Sequence, residues 1–229
     1  MIIGNGLVAK KFQHYKNKNV IIFASGVSNS LETNDIQFYR EKQLLEDILK
    51  KHPDKLLLYF SSRSLENKQL LSLPYYQHKL NMENLIKSFQ NKYIICRIHH
   101  IVGRGGNDST IVNFLYNKIL TQKSFDLWQN TYRYLIDIED VYKIAGYIIN
   151  NNLFINQVVD FPAAIIKVRD LVNELENILK KSAIINIIDK EKYLSIDNSE
   201  LNEILEKLGI YFHKDYIKNL LVKYYGTKK

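Results

Sequence analysis

The stretch YFSSRSLENKQLLSLPYYQHK, residues 59–79, carries the chain from a strand into a helix, and its reading decides the fold. The apolar run LLLYF at 56–60 predicts a short strand that ends in Ser61 and Ser62. A polar loop follows, and Pro74 suits the first turn of a helix, where its missing N–H has no intrahelical partner to lose. Tyr75 and Lys79 stand one helical turn apart, so they share a face. A phenol with a pKa of about 10 is a poor acid or base at neutral pH, and an ammonium beside it favours the phenolate. The spacing therefore predicts that Lys79 draws the Tyr75 pKa down. A serine hydroxyl at the strand end is expected to hydrogen-bond the same substrate oxygen. Such a group of residues is a proton-transfer site for a carbonyl/alcohol pair. Tyrosine is abundant, with 16 in the chain, so the spacing takes its meaning from what precedes it.

What precedes it is a glycine turn. Met1–Ile3 is a short apolar strand running into Gly4-x-Gly6-x-x-Ala9, with helix-compatible residues after it. In a dinucleotide fold the first glycine permits a tight turn, the second lets the backbone approach a pyrophosphate, and the small third residue allows close helix packing. The helix that opens there offers free N–H groups to phosphates. The next strand is VIIFAS, Val20–Ser25. A full dinucleotide half places an acidic residue for the adenine ribose about twenty residues after the glycines. None stands there, because the strand ends in Ala24, Ser25 and Gly26, and Glu32 comes later in a loop.

Further along, the pattern from Asp35 to Lys51 is a helix with Phe38, Leu44, Leu45, Ile48 and Leu49 as its buried stripe, closed by Pro53. The helix with Tyr75 continues through Leu80, Met82, Leu85, Ile86 and Phe89, and YIICRI, Tyr93–Ile98, is another apolar strand. Short, wholly apolar strands alternating with helices predict a parallel sheet covered on both faces. HHIVGRGGNDS, at 99–109, is expected as a loop lining a ligand cleft. The adjacent His99 and His100 point apart in an extended segment, so no shared metal is expected. Helices are predicted at Thr110–Thr121 and Val168–Lys180. Strands are predicted at Phe125–Trp128, at NQVVDF (156–161) and at IINIID (184–189). A further helix starts near Ile138, capped by Asp137 or by Glu139 and Asp140, and the tail ends in the helical DYIKNLLVKYYG.

At 229 residues, 46% hydrophobic and 24% charged, the chain is long enough for one sizeable core or a core plus a small lobe. Its 32 Lys and Arg against 24 Asp and Glu give a formal +8, but the basic residues are scattered and form no dense run. The excess could serve an anionic partner such as a nucleotide, but it reads first as basic residues scattered over solvated faces, and a nucleic-acid partner is not expected. No apolar run has the length of a signal peptide or a membrane span, so a cytoplasmic protein with no membrane partner is expected. Cys96, the single cysteine, lies inside YIICRI and reads as a small buried hydrophobe.

In this order the motifs resemble the extended short-chain dehydrogenase/reductases of the NAD-dependent epimerase/dehydratase kind, which act on nucleotide-diphosphate sugars. IIGNGLVAKKF resembles the glycine turn of that family, and VIIFASGV its strand ending in small residues beside the nicotinamide. YFSSRSL resembles the strand with the catalytic Ser/Thr, Ser62 being the better match. PYYQHKLNMENLI resembles the Tyr-x-x-x-Lys helix. CRIHHIVGRGG resembles the strand and loop flanking nicotinamide and sugar, and RYLIDIED the segment whose Arg touches the nucleotide diphosphate.

The resemblance implies Tyr75, Lys79 and Ser62 as catalytic residues, and NAD or NADP as cofactor. It implies Gly4, Gly6, Leu7, Ala24, Ser25, Lys79 and His99 as cofactor-binding, and Ser62, Arg63, Arg104 and Arg133 at the nucleotide-sugar substrate, with Asp140 as a conformational anchor. It also implies a homodimer and a role in surface polysaccharide or deoxysugar biosynthesis. The fold implied is α/β, a Rossmann-like parallel sheet with helices on both faces. If VIIFAS is the fourth strand of the family, strands 2 and 3, which hold the adenosine, are missing. The expected division is a core at 1–125, with 130–165 returning to it, and a helix-rich substrate lobe at 166–229.

Arg63 and Ser64 stand where the family's 4,6-dehydratases carry an Asp-Glu pair, and Arg63 also replaces the Cys of the epimerase-reductases. Dehydration is thereby disfavoured. Reduction of a 4-keto sugar nucleotide or 4-epimerisation is the expected chemistry. The alternative is an inactive relative that binds a sugar nucleotide or a protein partner.

Overall fold

The computed structural model describes residues 1–16, 18–89, 92–192 and 199–226; parts of the expected C-terminal lobe, at 193–198 and 227–229, lie outside the described residues. In chain order the elements begin with β1 (Ile2–Ile3), α1 (Leu7–Lys11), β2 (Val20–Phe23), α2 (Asp35–Lys51), β3 (Leu56–Ser62), α3 (Pro74–Phe89) and β4 (Tyr93–Ile98). They continue with β5 (His100–Val102), α4 (Ile111–Leu120), β6 (Phe125–Asp137), α5 (Ile138–Asn150) and β7 (Gln157–Asp160). The last are β8 (Ala164–Lys167), α6 (Val168–Leu179), β9 (Ile185–Lys192), α7 (Asn202–Leu208) and α8 (Tyr216–Tyr225).

These elements divide into two units, Met1–His99 with Tyr142–Phe161, and His100–Val141 with Pro162–Lys229. The first unit is a five-stranded sheet in the order β1-β2-β3-β4-β7, parallel throughout. All four residues of β2 are buried, as an interior parallel strand covered on both faces requires. On one face Ile21, Phe23, Leu57, Tyr59 and Ile95 pack with Leu45, Ile48 and Leu49 of α2 and Met82 and Ile86 of α3. On the other, Phe12 meets Phe60 and Tyr142 edge to face. Cys96 is fully buried in β4, as its apolar neighbours require. β1 ends the sheet, and among the described residues no strand pairs with its outer edge. This is the shortened Rossmann-like sheet the motifs imply, with β2 following β1 directly.

The second unit has a sheet in the order β5-β6-β8, with β9 parallel to the first half of β6. Val168, Leu171, Val172 and Leu175 form one stripe of α6 and pack with Leu127, Leu135, Leu220 and Leu221. Asp137 accepts hydrogen bonds from Lys223 Nζ at 2.7 Å and Tyr224 Oη at 2.6 Å, which ties α8 to the end of β6. Asp140 accepts from Tyr216 Oη at 2.7 Å.

Three elements differ from expectation. His100–Val102, expected in a loop, is a strand; it is three residues long and takes its hydrogen bonds from β6, so no internal pattern marks it. β6 runs unbroken from Phe125 to Asp137 through polar residues, because three strands pair along it. Ala164–Lys167, unmarked by alternation, pairs antiparallel with β6. These pairings place 100–125 in the second unit rather than in the core at 1–125.

Candidate active site

The glycine turn is built on one backbone constraint. Gly4 has φ +120°, and a Cβ there would stand 2.4 Å from the Ala24 carbonyl oxygen at the end of β2. Both the dihedral and the contact demand glycine. Gly6, which precedes α1, has nothing within 4 Å of where its Cβ would lie, so its backbone is open to approach. Leu7 opens α1, half-buried. Ser25, after Ala24, accepts from Arg40, whose Nη1 reaches its Oγ at 3.2 Å and whose Nη2 reaches its carbonyl at 3.1 Å.

At the end of β3 the two serines face opposite sides of the strand, as alternation requires. Ser61 is buried and donates to Glu83 Oε1 at 2.6 Å. Arg97 holds the same carboxylate through Nε at 2.9 Å and Nη2 at 2.7 Å. Ser62 is half-buried; its Oγ accepts from the Ser64 N–H at 3.3 Å, which leaves its hydroxyl proton for another partner. Ser61 is thus spent on the fold, and Ser62 is the serine with a hydroxyl to offer.

α3 packs against β3, β4 and the turn at Arg63–Glu66, and brings Tyr75 and Lys79 to its inner face, where both are buried. Lys79 does not act on Tyr75 as expected. Its Nζ donates to Glu41 Oε1 at 3.1 Å and to Tyr59 Oη at 3.1 Å. Glu41, fully buried on α2, also accepts from Tyr59 Oη at 2.7 Å and the Val27 N–H at 2.6 Å, and pairs with His78 Nε2 at 2.9 Å. Burial pushes the Glu41 carboxyl up, but Lys79, His78, the Val27 N–H and Tyr59 outweigh it and hold the group well below the ordinary carboxylate range. Burial, then the Glu41 carboxylate, then Tyr76 push the Tyr75 phenol well above its usual value. The shift thus runs opposite to the expected one, with burial of the phenol as its largest cause and the Glu41 carboxylate as the next.

Gly26 completes this pocket: a Cβ there would lie 2.6 Å from Lys79 Nζ and 2.9 Å from Glu41 Oε1. Glu41, Tyr59, His78 and Gly26 are the residues the motifs did not point to. One signal was available for Glu41, which lies four residues before Leu45 and seven before Ile48, on the buried stripe of α2.

The remaining candidates belong to both units. Arg63, expected at the substrate, is buried at 5% exposure, and its guanidinium pairs with Glu66 and, at 3.5 Å, with Asp160 at the end of β7. His99 is half-buried between β4 and β5. Arg104 and Arg133 belong to the second unit: Arg104 is exposed in the turn after β5, while Arg133 on β6 is half-buried and donates from Nη1 to the Tyr132 carbonyl at 2.8 Å.

No protein-family model matches the sequence, and no curated protein matches it significantly. Solved structures do resemble it. UDP-glucuronic acid 4-epimerase from Bacillus cereus, in complex with UDP-glucuronic acid and NAD, superposes with a TM-score of 0.66 at 19% identity over 86% of this chain and 72% of its own. A double mutant of DesIV, the dTDP-glucose 4,6-dehydratase of Streptomyces venezuelae, with NAD bound, gives 0.69 at 12% identity over 93% and 74%. RMD from Pseudomonas aeruginosa, complexed with NADPH, gives 0.68 at 14% identity over 88% and 90%. At these identities the likeness is one of fold. The chain has the Rossmann-like fold of these epimerase and dehydratase structures.

Proposed function

We propose that the chain is an NAD(P)-dependent oxidoreductase that reduces a nucleotide-diphosphate 4-keto sugar or inverts its C4 by oxidation and re-reduction. The observation that carries this reading is that Tyr75 and Lys79 share the buried face of α3, packed on a strand whose last serine keeps a hydroxyl to donate.

The residues present fit the pyrophosphate and nicotinamide end of a dinucleotide. Gly4 makes a turn that no side chain can enter, and the backbone at Gly6 and Leu7 is open for phosphate oxygens. An ammonium has three N–H donors; Glu41 and Tyr59 take two of those of Lys79, which leaves one for a ribose hydroxyl. At the adenosine end the fit is lost, since among the described residues β1 is the edge of the sheet and no acidic residue stands at the end of β2, where Ala24, Ser25 and Gly26 lie. When bound, a dihydronicotinamide supplies the hydride that a ketone carbon receives. Tyr75 gives its phenolic proton to the ketone oxygen, Ser62 donates a hydrogen bond to that oxygen, and Lys79 holds the ribose. Arg104 and Arg133 are proposed as ligands of the substrate's diphosphate. A homodimer through α2 and α3 is part of the proposal by resemblance.

Tyr75→Phe tests it. Turnover of a 4-keto sugar nucleotide with NADH or NADPH is expected to fall by about 10²–10⁴-fold, while sugar-nucleotide binding persists; unchanged turnover would sink the assignment. A second reading, an inactive protein that binds a sugar nucleotide, is favoured by the capture of Lys79 by Glu41. NADPH fluorescence titration separates the two, because only the enzyme requires the dinucleotide.

A further inference from the structure

The sheet of the first unit runs in one direction. Its order β1-β2-β3-β4-β7 rises from edge to edge, and every pairing is parallel. A dinucleotide fold is made of two mononucleotide-binding halves, and its ligand crosses the point where the strand order reverses. Among the described residues this sheet has no such reversal: β2, β3, β4 and β7 all lie to one side of β1, and no strand pairs on the other. One half is therefore present, and the glycine turn after β1 stands at its border. Beside that turn is a guanidinium to which the motifs did not point. A Cβ on Gly4 would stand 2.4 Å from the Ala24 carbonyl oxygen and 3.1 Å from the Ser25 nitrogen, so the turn touches the end of β2. Arg40 of α2 grips the same Ser25, with Nη1 3.2 Å from its Oγ and Nη2 3.1 Å from its carbonyl oxygen, while its Nε donates to Gln37 Oε1 at 3.4 Å. These bonds orient the guanidinium and use three of its five N–H donors. Arg40 is exposed, and among the described residues no carboxylate pairs with it; its neighbour Glu41 is turned inward to Lys79 and His78.

We infer that this protein holds a nicotinamide dinucleotide by its nicotinamide mononucleotide half alone, with Arg40 on the phosphate of that half and the adenosine beyond the edge of the sheet, and that it therefore takes NAD and NADP alike. The inference rests on the proposed reading of the glycine turn as a dinucleotide site. A guanidinium presents its donors as a planar fork that matches phosphate oxygens. The Ser25 contacts bring this fork to the turn from β2, the side that the sheet covers. Ser62, Tyr75 and Lys79 lie on β3 and the helix after it, on that same side of β1, so the nicotinamide half belongs there. Gly6, with nothing within 4 Å of where a Cβ would lie, leaves its backbone open to the same phosphate. NAD and NADP differ by one phosphate on the adenosine ribose, and a protein tells them apart with an acidic residue or an arginine at that ribose. The second strand here ends instead in Ala24, Ser25 and Gly26, and the ribose would have to lie past β1 with no strand behind it.

Dihydronicotinamide fluorescence, titrated on the full chain with NADH, NADPH and reduced nicotinamide mononucleotide, tests the inference without substrate. At about 0.15 M salt the Debye length of about 8 Å screens a phosphate that stands in solvent. The three dissociation constants are then expected to agree within about tenfold, and AMP is expected to displace none of the ligands. A wider gap between any two of them, or displacement by AMP, overturns the inference, because the adenosine is then held. Arg40→Leu is expected to weaken all three ligands by about tenfold or more, through loss of a charge-assisted hydrogen bond, and Arg40→Lys to recover part of that affinity. Unchanged affinity in Arg40→Leu overturns the inference. So does a loss confined to NADPH, which would put Arg40 at the adenosine ribose. Failure of all three ligands to bind the unsubstituted protein overturns the inference together with the NAD(P)-dependent reading. Binding as expected without turnover of any 4-keto sugar nucleotide counts against the proposed reaction and supports the inference.

Discussion

The Lys79 ammonium lies 3.1 Å from one oxygen of the Glu41 carboxylate, and the two side chains are 3% and 0% exposed. Neither charge has water to return to if the other is removed. Truncating one partner of such a buried pair costs about 3–5 kcal/mol, chiefly because the survivor is left uncompensated. Glu41→Ala is therefore expected to lose stability on that scale in urea denaturation. The joint replacement Glu41→Gln/Lys79→Met is expected to lose less than the sum of its single variants. A sum that is simply additive would mean that the pair does not interact.

The same carboxylate makes stability depend on pH. Its folded-state pKa lies below the ordinary value of 4.5, so its contribution is full above that value and is lost as pH falls below it toward the folded value. Urea midpoints of the unsubstituted protein are expected to fall steeply below about pH 4.5. Glu41→Gln is expected to start lower at neutral pH and to show a flatter acid limb. Parallel acid limbs for the two proteins would assign the acid sensitivity to other carboxylates.

The parallel sheet was legible in the chain because its strands are short, apolar and separated by helices; Val20–Phe23 is buried along its whole length, as that pattern demands. Tyr75 and Lys79 were legible as neighbours on one helical face, since that depends on spacing alone. What Lys79 pairs with was not, because its carboxylate lies 38 residues earlier on another helix and only packing brings the two together. Arg63 follows the same logic: its partner Asp160 comes from the far end of the first unit's chain. β6 and β8 were hidden for a related reason, as each owes its form to strands distant in sequence rather than to its own alternation.

Ser61 and Ser62, adjacent in sequence, are expected to separate stability from activity. Ser61→Ala removes a 2.6 Å hydrogen bond to the buried Glu83, which Arg97 continues to hold. A loss of about 1–2 kcal/mol in urea denaturation is expected, with turnover retained. Ser62→Ala loses only a 3.3 Å contact to the Ser64 N–H, so its stability is expected to change by less than about 1 kcal/mol. Its turnover is expected to fall, since the ketone oxygen loses a donor. The opposite pattern would move the proposed role from Ser62 to Ser61.

The outer faces of α2 and α3 carry the apolar residues for the proposed dimer: Ile36 is 73% exposed, Tyr39 64% and Phe89 52%. Single substitutions Ile36→Asp and Tyr39→Asp place a charge where association would have to desolvate it. Sedimentation is expected to give a dimer for the unsubstituted protein and a monomer for these variants, without loss of secondary structure by circular dichroism. A monomer in the unsubstituted protein would refute the dimer.

Gly4 and Gly6 are expected to fail for different reasons. At Gly4 the φ of +120° excludes an ordinary side chain, and the added carbon would lie 2.4 Å from the Ala24 carbonyl oxygen, a backbone atom that cannot rotate away. Gly4→Ala therefore combines strain of about 1–3 kcal/mol with a displacement of β1 from the end of β2, and a lowered melting temperature is expected. At Gly6 nothing stands within 4 Å of the new carbon, so Gly6→Ala is expected to melt within a degree or two of the unsubstituted protein. The methyl group would instead occupy the space through which a pyrophosphate approaches the backbone. NADPH titration is expected to show weaker binding in Gly6→Ala at unchanged stability. Equal affinity would place the dinucleotide away from this turn and leave Gly4 as a purely structural glycine.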